Sequence, residues 1–553
     1  MIRRIAVVLS LLFLSHAAFS AVVSDADIRA ILVDRIDVQH QSVGMVVGVI
    51  DSTGRRVVAY GKTAKDGKPV DANTVFEIGS VTKVFTSLLL ADMVQHGEVA
   101  LTDPVLKYLP PNVKMPERGG KKIALVDLAT QTSGLPYMPS NMNPKDPTNP
   151  FADYTVAQLY EFLATVQLTR NIGSTYEYSN VGVGLLGHVL ARRAGADYET
   201  LVRTRILEPL EMKSTAITLS KAMKDRLAIG HDAALQPVAN WDIATLSGAG
   251  ALRSTANDLL TFVGANIGLQ KSPLRSSMAA MIATRRPTGT PNLEIALGWH
   301  IWTRDGHEII WHNGSTGGYR TWIGFELKSR TGVVVLSNTS TMAGVDDIGL
   351  HLLDPAFPLL QPPKQRQEVK VDAAVLEKYT GRYQLAPNFI ITVTRDGDQL
   401  YAQATNQPRA EIFAESEREF FYKVVDAQLR FVVDANGRAT SIVLHQNGKN
   451  TPGNQIGPPI QRQEVKVDAA VIEKYTGRYE LAPNFILSVT RDGDHLYAQA
   501  TGQPRFEIFA EDDHNFFLKV VDAQLTFVVD ATGRATSLVL HQNGANSPGK
   551  RIE

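Results

Sequence analysis

A serine three residues ahead of a lysine can supply a nucleophile and the base that activates it, and Ser80-Val81-Thr82-Lys83 has that spacing. On a helix, residues i and i+3 share a face, so the two side chains point the same way. The run that follows carries Val81, Val84, Phe85, Leu88, Leu89, Leu90, Met93 and Val94. A helix apolar around more than half its turn belongs inside a protein, and Gly97 is a natural stop for it. A lysine at the head of a buried helix is costly without a purpose. The reading is that Ser80 attacks and Lys83 takes its proton. The same spacing recurs at Ser547-Pro548-Gly549-Lys550, where Pro-Gly forbids the helix that would align the pair. The string is weak by itself; its setting around Ser80 gives it meaning.

Two further clusters carry usable groups. Tyr176-Glu177-Tyr178-Ser179-Asn180 sits in a loop just before a helix, where Tyr178 can relay a proton and Asn180 can both donate and accept. Taken alone, Tyr178 suits a core tyrosine and Asn180 a helix cap. His312-Asn313-Gly314-Ser315 ends a strand, and Gly314 lets a substrate lie close against the backbone. His307-Glu308-Ile309-Ile310-Trp311-His312 resembles a zinc motif but is one residue too long, and on a strand its odd separation sends the histidines to opposite faces. No metal and no cofactor is expected. Gly-x-Ser-x-Gly is absent, which argues against an α/β-hydrolase. Cysteine is absent too, so thiolate catalysis, disulfides, cysteine-ligated zinc and a lipid anchor on cysteine are excluded.

The elements that must position these groups follow from pattern. Gly44–Ile50 and Arg55–Tyr60 flank Asp51-Ser52-Thr53-Gly54 and read as a hairpin. After the Ser80 helix, short helices are expected at Val126–Ala129 and Tyr154–Ala164, with a glycine-rich one at Val181–Ala194 stopping at Gly195. Thr255 and Asp258 form an expected capping box before a helix over Ala256–Val263. Strands follow at Leu297–Trp302, Glu308–His312, Tyr319–Phe325 and Gly332–Asn338. A hairpin, then helices, then strands that rejoin the hairpin make a mixed α/β domain around one antiparallel sheet.

Residues 354–364 carry four prolines and read as a linker. Beyond it, 365–453 aligns without gaps on 461–549, and 17 of those 89 positions differ. Each unit shows six to eight short strands with tight turns such as Asp396-Gly397 and Asn436-Gly437, the pattern of a small barrel or sandwich. Residues 454–460 join the two units, and the second runs to 553. The aromatic residues Phe389, Phe413, Phe420 and Phe421 are expected in the barrel core. Lysine plus arginine and aspartate plus glutamate both number 56, so nucleic acid and anionic membrane surfaces are not expected partners. Arg3 and Arg4, an apolar run from Ile5 to Leu14 and small residues at Ala18–Ser20 have the order of a secretory leader. The run is well short of the roughly 20 residues a membrane span needs. Export to the periplasm or beyond is expected, with 1–20 removed and no span left.

Ser80-Val81-Thr82-Lys83, Tyr178-Ser179-Asn180 and His312-Asn313-Gly314, in this order and at these separations, together resemble the penicillin-recognising serine hydrolases. These include class C β-lactamases, D-Ala-D-Ala carboxypeptidases, D-aminopeptidases and related esterases. The resemblance covers roughly Ala26–Leu353, takes in Thr132-Ser133-Gly134-Leu135-Pro136 and Gly250–Asp258, and assigns 24–353 to a β-lactamase-like, transpeptidase-like α/β (α+β) domain with a helical subdomain. It implies that Ser80 forms an acyl-enzyme while Lys83 and Tyr178 share the acid–base work. It also implies that the N–H groups of Ser80 and Ser315 form an oxyanion hole, and that Asn180, His312 and Gly314 line the substrate. His312 stands where β-lactamases carry the lysine of Lys-Thr-Gly, so a peptidase acting on a small or short-peptide amide or ester is expected before a β-lactamase or carboxylesterase. A penicillin sensor that acylates without turnover is the alternative of a different kind. The tandem barrels are similar to the lipocalin-like pair of the D-aminopeptidases, which implies a role in restricting substrates and a route to oligomers.

Overall fold

The computed structural model describes residues 23–552 apart from 342, 361–365, 387–388, 406, 408, 424, 447–448, 460–461, 463, 483–484, 502–504, 520–522 and 543–544. The expected leader lies outside the described residues. Among those described, no helix is long and apolar enough to cross a membrane. The chain divides into two compact units, Met1–Pro362 and Pro363–Glu553.

The first unit is built on an eight-stranded sheet whose paired strands all run antiparallel. Its strands are β1 (Gly44–Asp51), β2 (Gly54–Gly61), β3 (Arg286–Pro287), β4 (Leu293–Ile295), β5 (His300–Arg304), β6 (His307–Ser315), β7 (Arg320–Glu326) and β8 (Thr331–Ser337), in the spatial order β2-β1-β8-β7-β6-β5-β4-β3. The helices used below are α1 (Asp25–Val33), α2 (Thr82–Gln95), α3 (Asn180–Ala194), α4 (Ser247–Gly250), α5 (Ala256–Asn266) and α6 (Asp346–Leu353).

Strand β1 is buried along its whole length, so its alternate residues serve two cores. Val46 and Ile50, with Ile323, Phe325, Val334 and Leu336, pack against Val84, Phe85 and Leu88 of α2 and Leu260 of α5. Met45, Val47 and Val49, with Trp322, Val333 and Val335, pack against Ile28 and Leu32 of α1 and Ile348 and Leu352 of α6. The sheet is thus a middle layer between helices. Helix α2 is buried from Thr82 to Met93, as its all-round apolar pattern requires, and Gly97 follows it at φ +70°.

Three local expectations need correction. The strand expected from Leu297 begins at His300, because Gly298 turns at φ +74° with its α-carbon against Ser87 of α2. The capping box at α5 is half formed. Thr255 Oγ1 accepts from Asp258 N (3.2 Å), but the Asp258 carboxylate is taken by Ser214 N and Thr215 Oγ1, both at 2.8 Å. Phe413 is not core: Ile412 and Ala414 point inward, and Phe413 lies outward with the Lys423 ammonium 3.5 Å over its ring.

Residues Gly381–Gly457 and Gly477–Arg551 each form a closed barrel of eight strands. Their interiors are filled by aromatic rings. Tyr379 stacks on Phe431 at 4.6 Å and Tyr475 on Phe527 at 4.7 Å, while Tyr383 and Tyr479 each donate their hydroxyl to the carbonyl four residues back at 2.7 Å.

Candidate active site

Ser80 lies in a single 3-10 turn, Gly79–Val81, that leads into α2. Gly79 has φ +48°, and a Cβ there would come within 2.7 Å of the nitrogen and oxygen of Ser315. A side chain is therefore excluded twice, by conformation and by space. Gly314 is equally constrained, since a Cβ would meet Ile78 O at 2.0 Å and Thr321 Oγ1 at 2.3 Å. The two glycines bring the head of α2 against the end of β6.

Lys83 has no solvent exposure. Its Nζ reaches Ser80 Oγ at 2.9 Å, Asn180 Oδ1 at 2.8 Å and Ala249 O at 2.7 Å. The last two groups can only accept, so they engage two N–H bonds of the amine. The remaining direction faces the Ser80 hydroxyl, and a neutral Lys83 would turn its lone pair there. Burial holds the Lys83 pKa well below the usual lysine value, which favours that neutral form. The amine is arranged as a base toward Ser80.

Tyr178 lies over the pair, its ring face 4.8 Å from Lys83 Nζ. Burial raises its pKa, and the neighbouring Ser80 hydroxyl opposes the rise. The cap of α3 is Ser179, whose Oγ accepts from Gly182 N (2.9 Å) and donates to Pro136 O (2.6 Å). Asn180 occupies the first helical turn, which frees its side chain for Lys83. The 131–137 segment holds this loop: Gln131 Oε1 accepts from Ser179 N (2.8 Å), Gln131 O from Glu177 N (2.8 Å) and Tyr137 O from Asn180 N (2.9 Å).

On the facing strand, β5 pairs with β6 only from His307 to Trp311, so His312–Ser315 is bonded to β7 alone. Thr316 N donates to Tyr319 O. Because bonded and non-bonded pairs alternate in an antiparallel ladder, the Ser315–Arg320 pair is non-bonded and Ser315's N–H points to the open edge. That edge is where Gly79 brings Ser80. His312 shares its sheet face with Ile310, toward α2, whereas Asn313 and Ser315 face α6. His307, by contrast, is exposed and bonded to Glu326 at 2.6 Å.

His312 is buried, and its Nδ1 is bonded to Asn313 O at 2.6 Å. Desolvation, with His300 and Lys83 nearby, holds its pKa well below the usual histidine value, so it is neutral at neutral pH. The sequence reading missed His300, whose ring is 5.3 Å from that of His312. His300 Nε2 bonds the Tyr176 hydroxyl at 2.9 Å, and burial lowers its pKa to about 4. A signal for it existed. Asp305-Gly306 is a two-residue hairpin turn with both residues at positive φ, which sets His300 opposite Trp311 and beside His312. The Ala249 carbonyl, also missed, leaves no side-chain signal in a sequence.

Residues 27–354 match a family model described as Beta-lactamase. Residues 365–454 and 461–548 each match one described as Domain of unknown function (DUF3471), in agreement with the two barrels. The D-alanyl-D-alanine-carboxypeptidase/endopeptidase AmpH of Escherichia coli K12 is 30% identical over 341 residues, covering 58% of this chain and 87% of that protein. A β-lactamase of Pseudomonas fluorescens is 28% identical over 355 residues, covering 56% and 94%. Among solved structures, a class C β-lactamase from Rhodobacter sphaeroides superposes with a TM-score of 0.52 at 25% identity, covering 60% of this chain and 99% of that one.

Proposed function

This chain belongs to the beta-lactamase family and is a serine hydrolase that works through an acyl-serine, and on that premise we propose that it is an exported peptidase of the D-aminopeptidase or D-Ala-D-Ala carboxypeptidase type. Ser80 attacks the carbonyl of an amide or ester. Lys83 takes the serine proton, and Tyr178, whose ring lies over Lys83 Nζ, carries a proton to the leaving group. The N–H groups of Ser80 and Ser315 receive the oxyanion. Asn180 and Ala249 O orient the lysine, and His312 and Gly314 line the opening beside the open edge of β6. Water then releases the acyl group.

The observation that carries the catalytic part is Lys83 with two acceptor-only partners and its third direction on Ser80 Oγ at 2.9 Å. The choice of peptidase over β-lactamase is supported by His312, a neutral buried ring rather than a permanent cation. Export is supported by the charged, apolar, small-residue order of residues 3–20.

The test is turnover of nitrocefin, short-chain nitrophenyl esters and D-alanyl amides by the purified chain and by Ser80→Ala. D-alanyl amides are expected to turn over fastest. Ser80→Ala is expected to lose turnover and covalent labelling by a fluorophosphonate or penicillin. Labelling that persists in Ser80→Ala would refute the nucleophile. Nitrocefin as the best substrate would move the assignment to β-lactamase, and a lasting one-to-one adduct without turnover to a penicillin-binding sensor.

A further inference from the structure

Residues 171–179 lead through Tyr178 into α3, and none of them lies in a helix or strand. A segment without a ladder of its own is placed by the individual bonds that it makes. One flank is well tied. Gln131, Pro136 and Tyr137 hold it through Glu177, Ser179 and Asn180, and Gly173 N donates to Thr132 O at 2.7 Å. The flank toward the sheet is tied once. Among the described residues, the bond between the Tyr176 hydroxyl and His300 Nε2, 2.9 Å long, is the only hydrogen bond from 171–180 to a strand of the sheet.

His300 is itself held fast. Its ring stacks on Trp311 at 4.8 Å and 25°, and Trp311 stacks on the buried Trp322 at 6.5 Å. The Tyr176 and His300 rings are 6.0 Å apart, those of His300 and His312 5.3 Å, and those of His312 and Tyr178 6.3 Å. A contiguous set of four rings therefore joins the loop to the end of β6. Among the described residues the buried His300 Nδ1 has no partner. A buried N–H without an acceptor is rarer than a lone pair without a donor, so the ring proton sits on Nε2 and His300 donates to the Tyr176 oxygen. Burial lowers the His300 pKa to about 4, which keeps the ring in this neutral form at neutral pH.

We propose that His300 is a positioning residue: by holding the Tyr176 hydroxyl it fixes the loop against the sheet and keeps Tyr178 over Lys83, where its proton reaches the leaving group. This rests on the acyl-serine reading above and on Tyr178 as the proton donor. The Tyr178 ring face is 4.8 Å from Lys83 Nζ, and Tyr178 is two residues from Tyr176, so a loop that swings away from His300 carries Tyr178 with it. A displacement of about 1 Å in a group that acts in the transition state costs on the order of 10²-fold in rate. Ser80 and Lys83 are placed by the head of α2 and by the Ala249 carbonyl instead. The loss therefore falls on proton delivery and not on attack.

The test uses the full chain and compares kcat/KM for the para-nitroanilide and the para-nitrophenyl ester of D-alanine. Both form the same acyl-enzyme, but nitrophenolate departs without a proton and the anilide nitrogen needs one. Tyr176→Phe, which removes a single oxygen, is expected to lower the anilide value by about ten- to a hundredfold and to leave the ester value near that of the wild type. His300→Phe, which keeps a ring to stack on Trp311, should match it, and the double variant should lose no more than either single one. His300→Gln keeps an N–H donor and is expected to recover part of the loss. Equal slowing of both substrates in Tyr176→Phe, an unchanged ratio in both single variants, or losses that multiply in the double variant would overturn the inference. Tyr178→Phe separates it from the reading beneath it. That variant should show the anilide-selective loss whatever His300 does; if it does not, proton delivery by Tyr178 falls and the inference with it. If the wild type turns over no anilide, the inference falls together with the peptidase reading.

Discussion

Lys83 shows how one buried group acquires a function from its surroundings. Lysine in water is protonated at neutral pH and cannot act as a base. Desolvation penalises the charged form, so the pKa falls and the neutral amine becomes accessible near the operating pH. Below the shifted pKa the amine is charged and idle, and above it the lone pair facing Ser80 is available. Acylation of Ser80 is expected to rise with pH through a step lying well below the ordinary lysine value. Lys83→Arg keeps a cation that does not titrate in this range, and should cost about 10²- to 10⁴-fold while flattening that step. A pH–rate profile of labelling with a fluorophosphonate checks both; an unchanged rise in Lys83→Arg would assign the step to another group. The serine and lysine are legible in the sequence because they share one helix face. Their charge state is not, because it depends on what excludes water.

At the scale of elements, the site is a contact between the head of α2 and the unpaired end of β6, kept close by Gly79 and Gly314. Gly314→Ala would drive a methyl into Ile78 O, 2.0 Å away, and push the strand back. The expected result is a loss of about 1–3 kcal/mol in stability and about 10²- to 10³-fold in turnover as the Ser315 N–H leaves the oxyanion position. Gly97→Ala is the control, with φ +70° and open space around it. It should cost about 1 kcal/mol and leave labelling of Ser80 intact. Thermal melts with labelling rates separate the two, and equal losses of activity would deny Gly314 a special place. The helices and strands themselves are legible from period and glycine punctuation. Where β5 stops pairing with β6 is not, since Gly298 breaks the strand through a contact with Ser87, a residue more than two hundred positions earlier.

For the whole molecule, apolar cores set the units. The clusters of the first unit draw on residues between Ile28 and Phe357, and each barrel has its own, within Leu376–Leu444 and Ile472–Leu538. Cores that share no residues unfold as separate cooperative units. A chain truncated after residue 360 is therefore expected to fold and to label at Ser80. Calorimetry of the full chain should show a transition matching that of the truncated chain, plus one for the barrels. A single transition in the full chain with an unfolded truncation would contradict this. The two barrels keep nearly the same aromatic core, so their transitions should overlap.

The sequence by itself determined the buried helix with Ser80 and Lys83, the order of the three reactive clusters, and the duplicated barrels. Each is written in local spacing or in direct repetition, which survive without knowledge of the fold. The tertiary structure alone decided that Ala249 offers its carbonyl to Lys83, that His300 stands beside His312, and that Ser179 rather than Asn180 caps α3. A backbone carbonyl has no side-chain signature, and the other placements depend on register, burial and contacts between distant segments. Those properties arise only when the sheet and its two helical layers close on one another.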